Sequence, residues 1–289
     1  MECVGGIWPL HALGPTFRSS VPYSIGQKNR LLEGLQRGRT TMFDAVKMAQ
    51  EVEKVVCRGD MRKYYRFRTA RFYGGIATAD CVGCCLRCAF CWAWPAVVSY
   101  ASVGKFYSPQ QIAENLLTAT RKKGFRRLRI SGNEPTIGRD HLLKVLAHIP
   151  REYQFILETN GILIGHDHTY ARDLASFPNL YVRVSLKGAA AAEFTRLTGA
   201  EAKGFDFQLS ALENLVRVGV ETFPAVMISF SSEKNVEGLR KRLAAIDPRF
   251  HDFEVEELAF YGDVEKRLRK ANLGFHSAYQ PGNIPPGQV

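Results

Sequence analysis

Three cysteines in one short segment constrain this chain more than any other feature. Cys84, Cys88 and Cys91 have the spacing CxxxCxxC, and Phe90 and Trp92 flank the last of them. Three thiolates can bind three irons of a four-iron cluster and leave the fourth iron open, whereas clusters that only transfer electrons normally have every iron bound by the protein. An open iron can bind a small molecule and pass it an electron.

Other interpretations of these cysteines fit their spacing less well. Cys81 and Cys84 also form a CxxC pair, so a four-thiolate zinc site with Cys88 and Cys91 is an alternative. Zinc-binding pairs usually have about a dozen or more residues between them, and such a gap is absent here. The CxxCxxCxxxCP order of bacterial ferredoxins is also absent. Disulfides are disfavoured because the seven cysteines are an odd number and most of them lie in one loop.

The length and composition of the chain fit one large α/β domain. A chain of 289 residues that is 46% hydrophobic can bury one large core. Residues 1–17 lack a basic leader and are broken by prolines, and the uncharged segment 89–104 is too short to span a bilayer. Free cysteines concentrated in one loop are typical of a reducing compartment, so we expect a cytoplasmic protein that does not bind a membrane.

Alternating strand and helix patterns from residue 75 onward predict a parallel sheet covered by helices. The six predicted strands are residues 75–81, 127–131, 154–158, 180–186, 222–229 and 253–258. The predicted helices are residues 41–57, 109–120, 139–147, 170–176, 207–218 and 236–246. We expect an irregular or helical extension with a basic and aromatic segment over residues 1–72, the barrel over 73–260, and a C-terminal helix with a tail rich in proline and glycine over 261–289.

Polar turns follow the second and third predicted strands. Residues 131–135 read Ser-Gly-Asn-Glu-Pro, in which the glycine and the proline favour a tight turn before the next helix. Residues 158–161 read Glu-Thr-Asn-Gly, and Asn-Gly is a common turn signal. In barrels of parallel strands the reactive groups gather at the carboxyl ends of the strands. Both turns are therefore candidates for the site.

The fourth predicted strand carries polar side chains on one face. Arg183, Ser185 and Lys187 alternate with apolar residues, so all three face the same side of the sheet. A buried face that bears an arginine and a lysine requires an anionic partner. A bound anion and a structural polar network within the barrel are the two candidates.

The cysteine spacing and these three strand ends resemble the radical S-adenosylmethionine (SAM) superfamily. Within it, residues 75–230 look most like the activating enzymes of glycyl radical proteins, such as the pyruvate formate-lyase activating enzyme. The resemblance implies an open, partial (β/α)6 barrel of the TIM type and a [4Fe-4S] cluster bound by Cys84, Cys88 and Cys91. It also implies that the reduced cluster cleaves SAM to a 5′-deoxyadenosyl radical, which abstracts a hydrogen atom from the substrate.

The same resemblance implies which residues contact SAM. The turn at 131–135 resembles the GGEP motif, whose backbone and glutamate bind the SAM amino group. Asn133 replaces its second glycine, and we expect the turn to persist because asparagine tolerates left-handed backbone angles. The strand at 180–186 resembles a stretch with the pattern Asp-x-Lys that contacts the ribose and carboxylate of SAM, with serine in place of the aspartate. The expected SAM contacts are Gly132, Asn133, Glu134, Thr159, Asn160, Ser185 and Lys187, and the SAM carboxylate is the expected partner of the cations on this strand.

The sequence leaves the substrate undetermined, and the positive charge of the chain allows two interpretations. The net charge is +11, and part of the excess lies in residues 62–73, where arginines and a lysine alternate with aromatic residues. Such a segment can bind nucleic acid, or it can be an amphipathic element whose aromatic residues pack and whose cations face water. We expect an unidentified substrate, with a polypeptide as the leading candidate, and an electron donor such as flavodoxin or ferredoxin. The alternatives are an enzyme that modifies tRNA, similar to the wyosine-forming enzymes, and a non-catalytic iron–sulfur protein that binds a ligand or transfers electrons.

Overall fold

The computed structural model describes residues 42–284, and our predictions for residues 1–41 and 285–289 lie outside them. The strands are β1 Cys57–Arg58, β2 Met61–Ala70, β3 Ile76–Cys81, β4 Lys105–Tyr107, β5 Arg127–Ser131, β6 Gln154–Thr159, β7 Leu180–Leu186, β8 Glu221–Met227, β9 Glu254–Glu256, β10 Leu258–Ala259 and β11 Ala278–Tyr279. The α-helices are α1 Ala45–Val56, α2 Trp94–Val98, α3 Pro109–Lys123, α4 Arg139–Ala147, α5 Ile162–His166, α6 His168–Leu174, α7 Ala191–Thr198, α8 Lys203–Arg217, α9 Glu233–Ile246 and α10 Val264–Lys270. Short 3-10 helices are Phe72–Gly74, Pro135–Ile137, Pro248–Asp252 and Pro281–Asn283.

The main sheet is the parallel sheet that the sequence predicts, with an antiparallel edge. Its order is β1-β2-β3-β5-β6-β7-β8-β9, and β4 pairs with β2. Every neighbouring pair from β3 to β9 is parallel, whereas β2 is antiparallel to β1, β3 and β4. The predicted partial barrel is confirmed. Within residues 42–284, no helix has the length and apolar character needed to cross a membrane.

The start of α3 shows how local sequence sets the boundaries of these elements. Pro109 occupies the first turn, and the Ser108 hydroxyl accepts a hydrogen bond from the backbone N–H of Gln111. The Gln111 side chain in turn accepts the Ser108 N–H, which completes a capping box. Gly124 ends the helix in a left-handed conformation, with φ of 68°. The predicted start of this helix is confirmed, and its end lies three residues later than predicted.

The two faces of the sheet have different chemistry. Because side chains alternate along a strand, one face carries the apolar residues that pack against the helices, including Ala79, Leu128, Leu157 and Val184. The opposite face, called the inner face below, carries Ile76, Ile156 and Tyr181 as a small apolar floor near the amino ends of the strands. Toward the carboxyl ends, the inner face carries polar and charged residues: Thr78, Asp80, Arg129, Ser131, Glu158, Arg183, Ser185, Glu254 and Glu256.

The basic and aromatic segment forms most of β2 and is more buried than the sequence suggests. Arg62 is fully buried, and its Nη2 donates to the backbone oxygen of Glu134 at 2.7 Å. The Nζ of Lys63 donates to the backbone oxygens of Tyr100 and Ala101 at 3.1 and 2.7 Å. The interpretation in which these cations face water is wrong for both residues, because β2 lies inside the sheet and its first half is covered.

Candidate active site

The loop with the three cysteines begins directly after β3, at the carboxyl end of that strand. Gly83 has φ of 90°, and a Cβ at this position would lie 2.5 Å from Cγ1 of Val52, so glycine is required. The Gly83 N–H donates to the Ala96 oxygen at 3.1 Å, and its oxygen accepts from the Glu134 N–H at 3.0 Å. The strand therefore continues into a fixed loop that is bonded to the turn after β5.

Helix α7 supports the middle of this loop through the backbone. The N–H of Arg87 donates to the oxygen of Thr198 at 3.1 Å, and the N–H of Ala89 donates to the oxygen of Leu197 at 2.9 Å. These bonds use carbonyl groups of the last helical turn, which have no partner inside the helix. The end of α7 thus holds the chain between the first and last cysteines.

Helix α10 supports the end of the loop through a single arginine. The Nε of Arg267 donates to the oxygen of Ala89 at 3.2 Å, and its Nη2 donates to the oxygen of Cys91. Its guanidinium also lies 4.9 Å from the ring centroid of Trp94. Arg267 places a positive charge beside the last cysteine.

The three thiols differ in their electrostatic surroundings. Burial raises the pKa of Cys88, and it raises the pKa of Cys91 to about 11. A hydrogen bond with the Cys85 thiol lowers the pKa of Cys84, and the Leu86 N–H donates to the Cys84 sulfur at 3.4 Å. The charge of Lys187 opposes the rise at both Cys88 and Cys91.

The turn after β5 approaches β3 closely. Gly132 has φ of 98°, and a Cβ there would lie 2.7 Å from the Cβ of Asp80, so glycine is required. Asn133 does not adopt a left-handed backbone, since among the described residues other than glycine only Tyr73 and Asn272 have positive φ, so the turn does not depend on the tolerance of asparagine for such angles. The Asn133 side chain instead donates to the oxygen of Cys81 at 3.0 Å. Its Oδ1 is buried without a hydrogen-bond partner among residues 42–284.

Glu134 joins the two predicted turns. Its buried carboxylate accepts the Thr136 N–H at 3.1 Å and hydroxyl at 2.6 Å, and it also accepts the Thr159 hydroxyl at 2.6 Å. The Asn160 N–H donates to its other oxygen at 2.7 Å. The structure therefore brings the turns after β5 and β6 together, as the sequence predicts for the ends of neighbouring strands, and Glu134 forms the link.

Asn160 and Gln208 extend this network to the cysteines and to β7. The Nδ2 of Asn160 lies 3.2 Å from the sulfur of Cys85 and 3.8 Å from that of Cys84. Gln208 of α8 is fully buried, and its Nε2 donates to the oxygens of Asn160 at 2.6 Å and Ser185 at 3.0 Å. Its Oε1 accepts the Lys187 N–H at 3.2 Å. Sequence reasoning missed Gln208, whose signal was a polar side chain on the apolar face of a helix.

The counter-charge on β7 comes from the protein itself. Arg183 forms ion pairs with Glu254 and Glu256, both at 2.6 Å. The Ser185 hydroxyl donates to Glu256 at 2.8 Å, and the Nζ of Lys187 bonds to Ser185 and lies 3.8 Å from Glu256. Burial disfavours the Glu256 carboxylate, but Lys187 and Arg183 outweigh it and lower its pKa to about 2. Of the two predicted candidates, the structural network supplies the anionic partner, and the expected dependence on a SAM carboxylate is wrong for Arg183.

A comparison of the sequence with protein families identifies this arrangement. The model described as the Radical SAM superfamily matches residues 80–243, which contain the three cysteines, both turns and β7. The chain belongs to the radical SAM superfamily. No curated protein matches the sequence of this radical SAM protein.

A search of solved structures finds proteins similar to this radical SAM protein. SuiB of Streptococcus suis, bound to S-adenosylmethionine, is 19% identical with a TM-score of 0.52, over 66% of this chain and 44% of that chain. Alignment with anSMEcpe with bound AdoMet and peptide gives 18% identity and a TM-score of 0.44, over 61% of this chain and 48% of that one. Spore photoproduct lyase in complex with a dinucleoside spore photoproduct is 13% identical with a TM-score of 0.45, and the alignment covers 66% of this chain and 58% of that chain. This chain thus spans about half the length of these proteins.

The residues of the site fit the two cofactors of the superfamily, a [4Fe-4S] cluster and SAM. Soft thiolates are the ligands that iron–sulfur clusters and zinc prefer. Within residues 42–284, no three Cys, His, Asp or Glu side chains are close enough to hold one metal ion, and the thiol of Cys81 lies in the apolar core near Arg62. A cluster spans more space than a single ion, so the three loop cysteines fit a cluster better than zinc. The free Oδ1 of Asn133 provides an acceptor for an ammonium group.

Proposed function

We propose that this radical SAM protein is an enzyme whose Cys84, Cys88 and Cys91 bind the [4Fe-4S] cluster and whose substrate is a polypeptide, as in the activating-enzyme branch. When bound, the cluster supplies the electron that cleaves SAM to the radical that abstracts hydrogen. The observation that carries this proposal is the continuous hydrogen-bonded unit that joins the cysteine loop, the turns after β5 and β6, and the end of β7.

The cysteine loop is surrounded by groups that suit a negatively charged cluster. Asn160 donates toward the sulfurs of Cys84 and Cys85, and hydrogen bonds to sulfur are one way in which a protein tunes a cluster. Lys187 and Arg267 place positive charge near Cys91. The role of these residues is to favour the thiolate forms and to hold the loop in one conformation.

The residues proposed for SAM act by position. Gly132 allows the backbone to approach β3, and the Oδ1 of Asn133, which has no partner among the described residues, is our proposed acceptor for the SAM amino group. Glu134 and Gln208 hold Thr159, Asn160 and Ser185 at one edge of the sheet. Lys187 has an ammonium group with further donors besides the bond to Ser185, which a carboxylate of SAM can accept. Pre-organisation of this kind is the main contribution of the protein to cofactor chemistry.

A polypeptide substrate is better supported than tRNA. A tRNA surface over residues 62–73 requires several free cations, but Arg62 and Lys63 are buried, and Arg66 and Arg68 share the Asp80 carboxylate, which leaves an excess of only one positive charge among these three groups. The motifs of the cysteine loop, the Gly-Asn-Glu-Pro turn and the Ser-Leu-Lys strand support the activating-enzyme branch. With that branch we propose flavodoxin or ferredoxin as the reductant, in the cytoplasm.

Anaerobic reconstitution tests the proposed function. The full chain is reconstituted with iron and sulfide and incubated with dithionite and SAM, and 5′-deoxyadenosine is measured by liquid chromatography. We expect the wild type to release it, and Cys88→Ala to lose release by at least about 100-fold because the cluster lacks a ligand. Cys57→Ala, a thiol on β1 outside the loop, is the matched control and keeps the activity.

Two results would contradict the proposal. A four-iron protein that binds SAM without cleaving it would favour the non-catalytic class. A Cys88→Ala variant with the iron content and activity of the wild type would show that the loop does not hold the cluster.

A further inference from the structure

Two arginines of β2 share one buried carboxylate beside the cysteine loop. The Nε of Arg66 donates to Asp80 at 2.6 Å, and Arg68 donates to Asp80 through Nε at 2.9 Å and Nη2 at 3.3 Å. The Asp80 side chain is fully buried, whereas the side chains of Arg66 and Arg68 are 42% and 24% exposed. Two positive charges therefore meet one negative charge at a place that solvent reaches.

A β-bulge turns these arginines toward the inner face. The register of β2 against β3 shifts between Tyr64, which is opposite Cys81, and Arg66, which is opposite Asp80. Without this shift, Arg66 would share the helix-covered face with Tyr64, because alternate residues of a strand face the same side. Bulges frequently redirect side chains next to active sites. The shift brings Arg66 and Arg68 to the face that carries the candidate site.

Trp92 completes the group and connects it to the cluster loop. It follows Cys91 directly and is 42% exposed. The guanidinium carbons of Arg66 and Arg68 lie 5.1 and 6.0 Å from its ring centroid, which is within cation–π range. The ring limits the orientations of the guanidinium groups and fixes them close to a proposed cluster ligand.

The terminal nitrogens of these arginines are available to a ligand. Asp80 accepts from Nε of Arg66 and from Nε and Nη2 of Arg68. Within residues 42–284, the remaining terminal nitrogens, which are Nη1 and Nη2 of Arg66 and Nη1 of Arg68, donate to no acceptor. A planar guanidinium with free N–H groups matches the two oxygens of a carboxylate. Arg183 on the inner face differs, since its guanidinium is already paired with Glu254 and Glu256.

We propose that Arg66, Arg68 and Trp92 form a substrate-binding site for a single carboxylate, an aspartate or glutamate side chain of the polypeptide, and this rests on the proposed function. The excess of one positive charge matches one negative charge. A polynucleotide is disfavoured because its binding neutralises several successive phosphates, whereas this group has an excess of one positive charge. The position beside Cys91 means that the bound side chain orients the peptide next to the reacting centre.

Two peptide pools test this proposal on the full, reconstituted chain with SAM. Both contain end-blocked hexapeptides with random flanks, and the third position is glutamate in one pool and glutamine in the other. Peptides retained by the immobilised protein are quantified by mass spectrometry. We expect the wild type to enrich the glutamate pool about tenfold, since a charge-assisted bond to arginine is lost with glutamine. Arg66→Gln removes most of this preference, and Arg66→Lys, which keeps the charge without the fork, retains part of it.

The controls separate this proposal from the proposed function. Arg121→Gln, an exposed arginine of the last turn of α3, keeps the tenfold preference. Equal enrichment of the two pools by the wild type would overturn the proposal, as would displacement of the glutamate pool by equimolar inorganic phosphate. Release of 5′-deoxyadenosine is measured on the same preparation, so a protein that cleaves SAM without a preference for glutamate contradicts the carboxylate site alone.

Discussion

The two faces of the main sheet are built from the same strands but are stabilised differently. The face under the helices is almost continuously apolar, as at Leu128, Leu157 and Val184. The inner face pairs charges, as in Arg129 with Glu158 and in Arg183 with Glu254. Apolar burial is the main source of folding free energy, whereas a buried ion pair gains little over an apolar pair of the same size because both charges lose water.

This difference indicates what each face is for. A sheet that needed only stability would carry apolar residues on both faces, as parallel sheets buried on both sides usually do. The inner face instead keeps polar groups in fixed positions at the carboxyl ends of the strands, next to the cysteine loop. We therefore expect substitutions on the helix face to change stability and substitutions on the inner face to change cofactor binding and activity.

The largest expected effect on stability is on the helix face. Leu157→Ala should lower the free energy of unfolding by about 2–5 kcal/mol, because it leaves a cavity in the core. Ser185→Ala, on the inner face, should cost only about 1 kcal/mol, since Glu256 keeps Arg183 as a partner. Urea denaturation of the two variants measures both values. If Ser185→Ala were the more destabilising of the two, the division between the faces would not hold.

Gln208 gives a sharper test, because it belongs to a helix but bonds to the candidate site. Gln208→Leu should weaken SAM binding by roughly 10–100-fold, the usual effect of removing a residue that orients ligands. Asn214→Leu is the matched control, since Asn214 is also a buried amide of α8 and donates to the oxygen of Ile164 at 3.0 Å. Equilibrium dialysis with labelled SAM measures the affinities. Equal losses in the two variants would mean that Gln208 has only a structural role.

A smaller expected difference between the two faces is the pH range over which each one loses stability. On the helix side, burial lowers the pKa of His141 from 6.5 to about 4, and the ring bonds to the Tyr64 hydroxyl and the Asp60 oxygen. As the pH falls, His141 binds a proton near pH 6.5 in the unfolded chain but only near pH 4 in the folded protein. The free energy of unfolding should therefore fall by up to about 3 kcal/mol as the pH falls from about 6.5 to about 4. Glu256, with its pKa lowered from 4.5 to about 2, acts in the same direction but only below about pH 4.5.

Urea titrations in steps of pH measure this dependence. His141→Gln should remove the decrease between pH 6.5 and 4 and leave the one at lower pH. An unchanged slope in this variant would show that another group causes it.

The sequence predicted the elements whose signals are local. Strands β5 and β7 match their predicted bounds at both ends, because turn residues limit their apolar runs. Helix α7 was not predicted. A helix of eight residues is marginal alone, and it forms here because Phe194 and Leu197 are buried.

The residues of the site divide in the same way. Spacing alone indicated the cysteine loop and the two turns, but not what holds them together. Glu254 and Glu256 had a weak signal, because alternate acidic residues in a strand share a face. The burial of Arg62 and the bulge before Arg66 had no local signal, since both depend on which strands pair with β2.

Mössbauer spectroscopy of the chain reconstituted with ⁵⁷Fe tests the central claim most directly, which is that Cys84, Cys88 and Cys91 supply one thiolate fewer than the cluster has irons. The account predicts a four-iron cluster in which about one iron in four differs from the rest and changes when SAM is added. Four irons with the same cysteine ligation, unchanged by SAM, or a chain that binds no iron would contradict it.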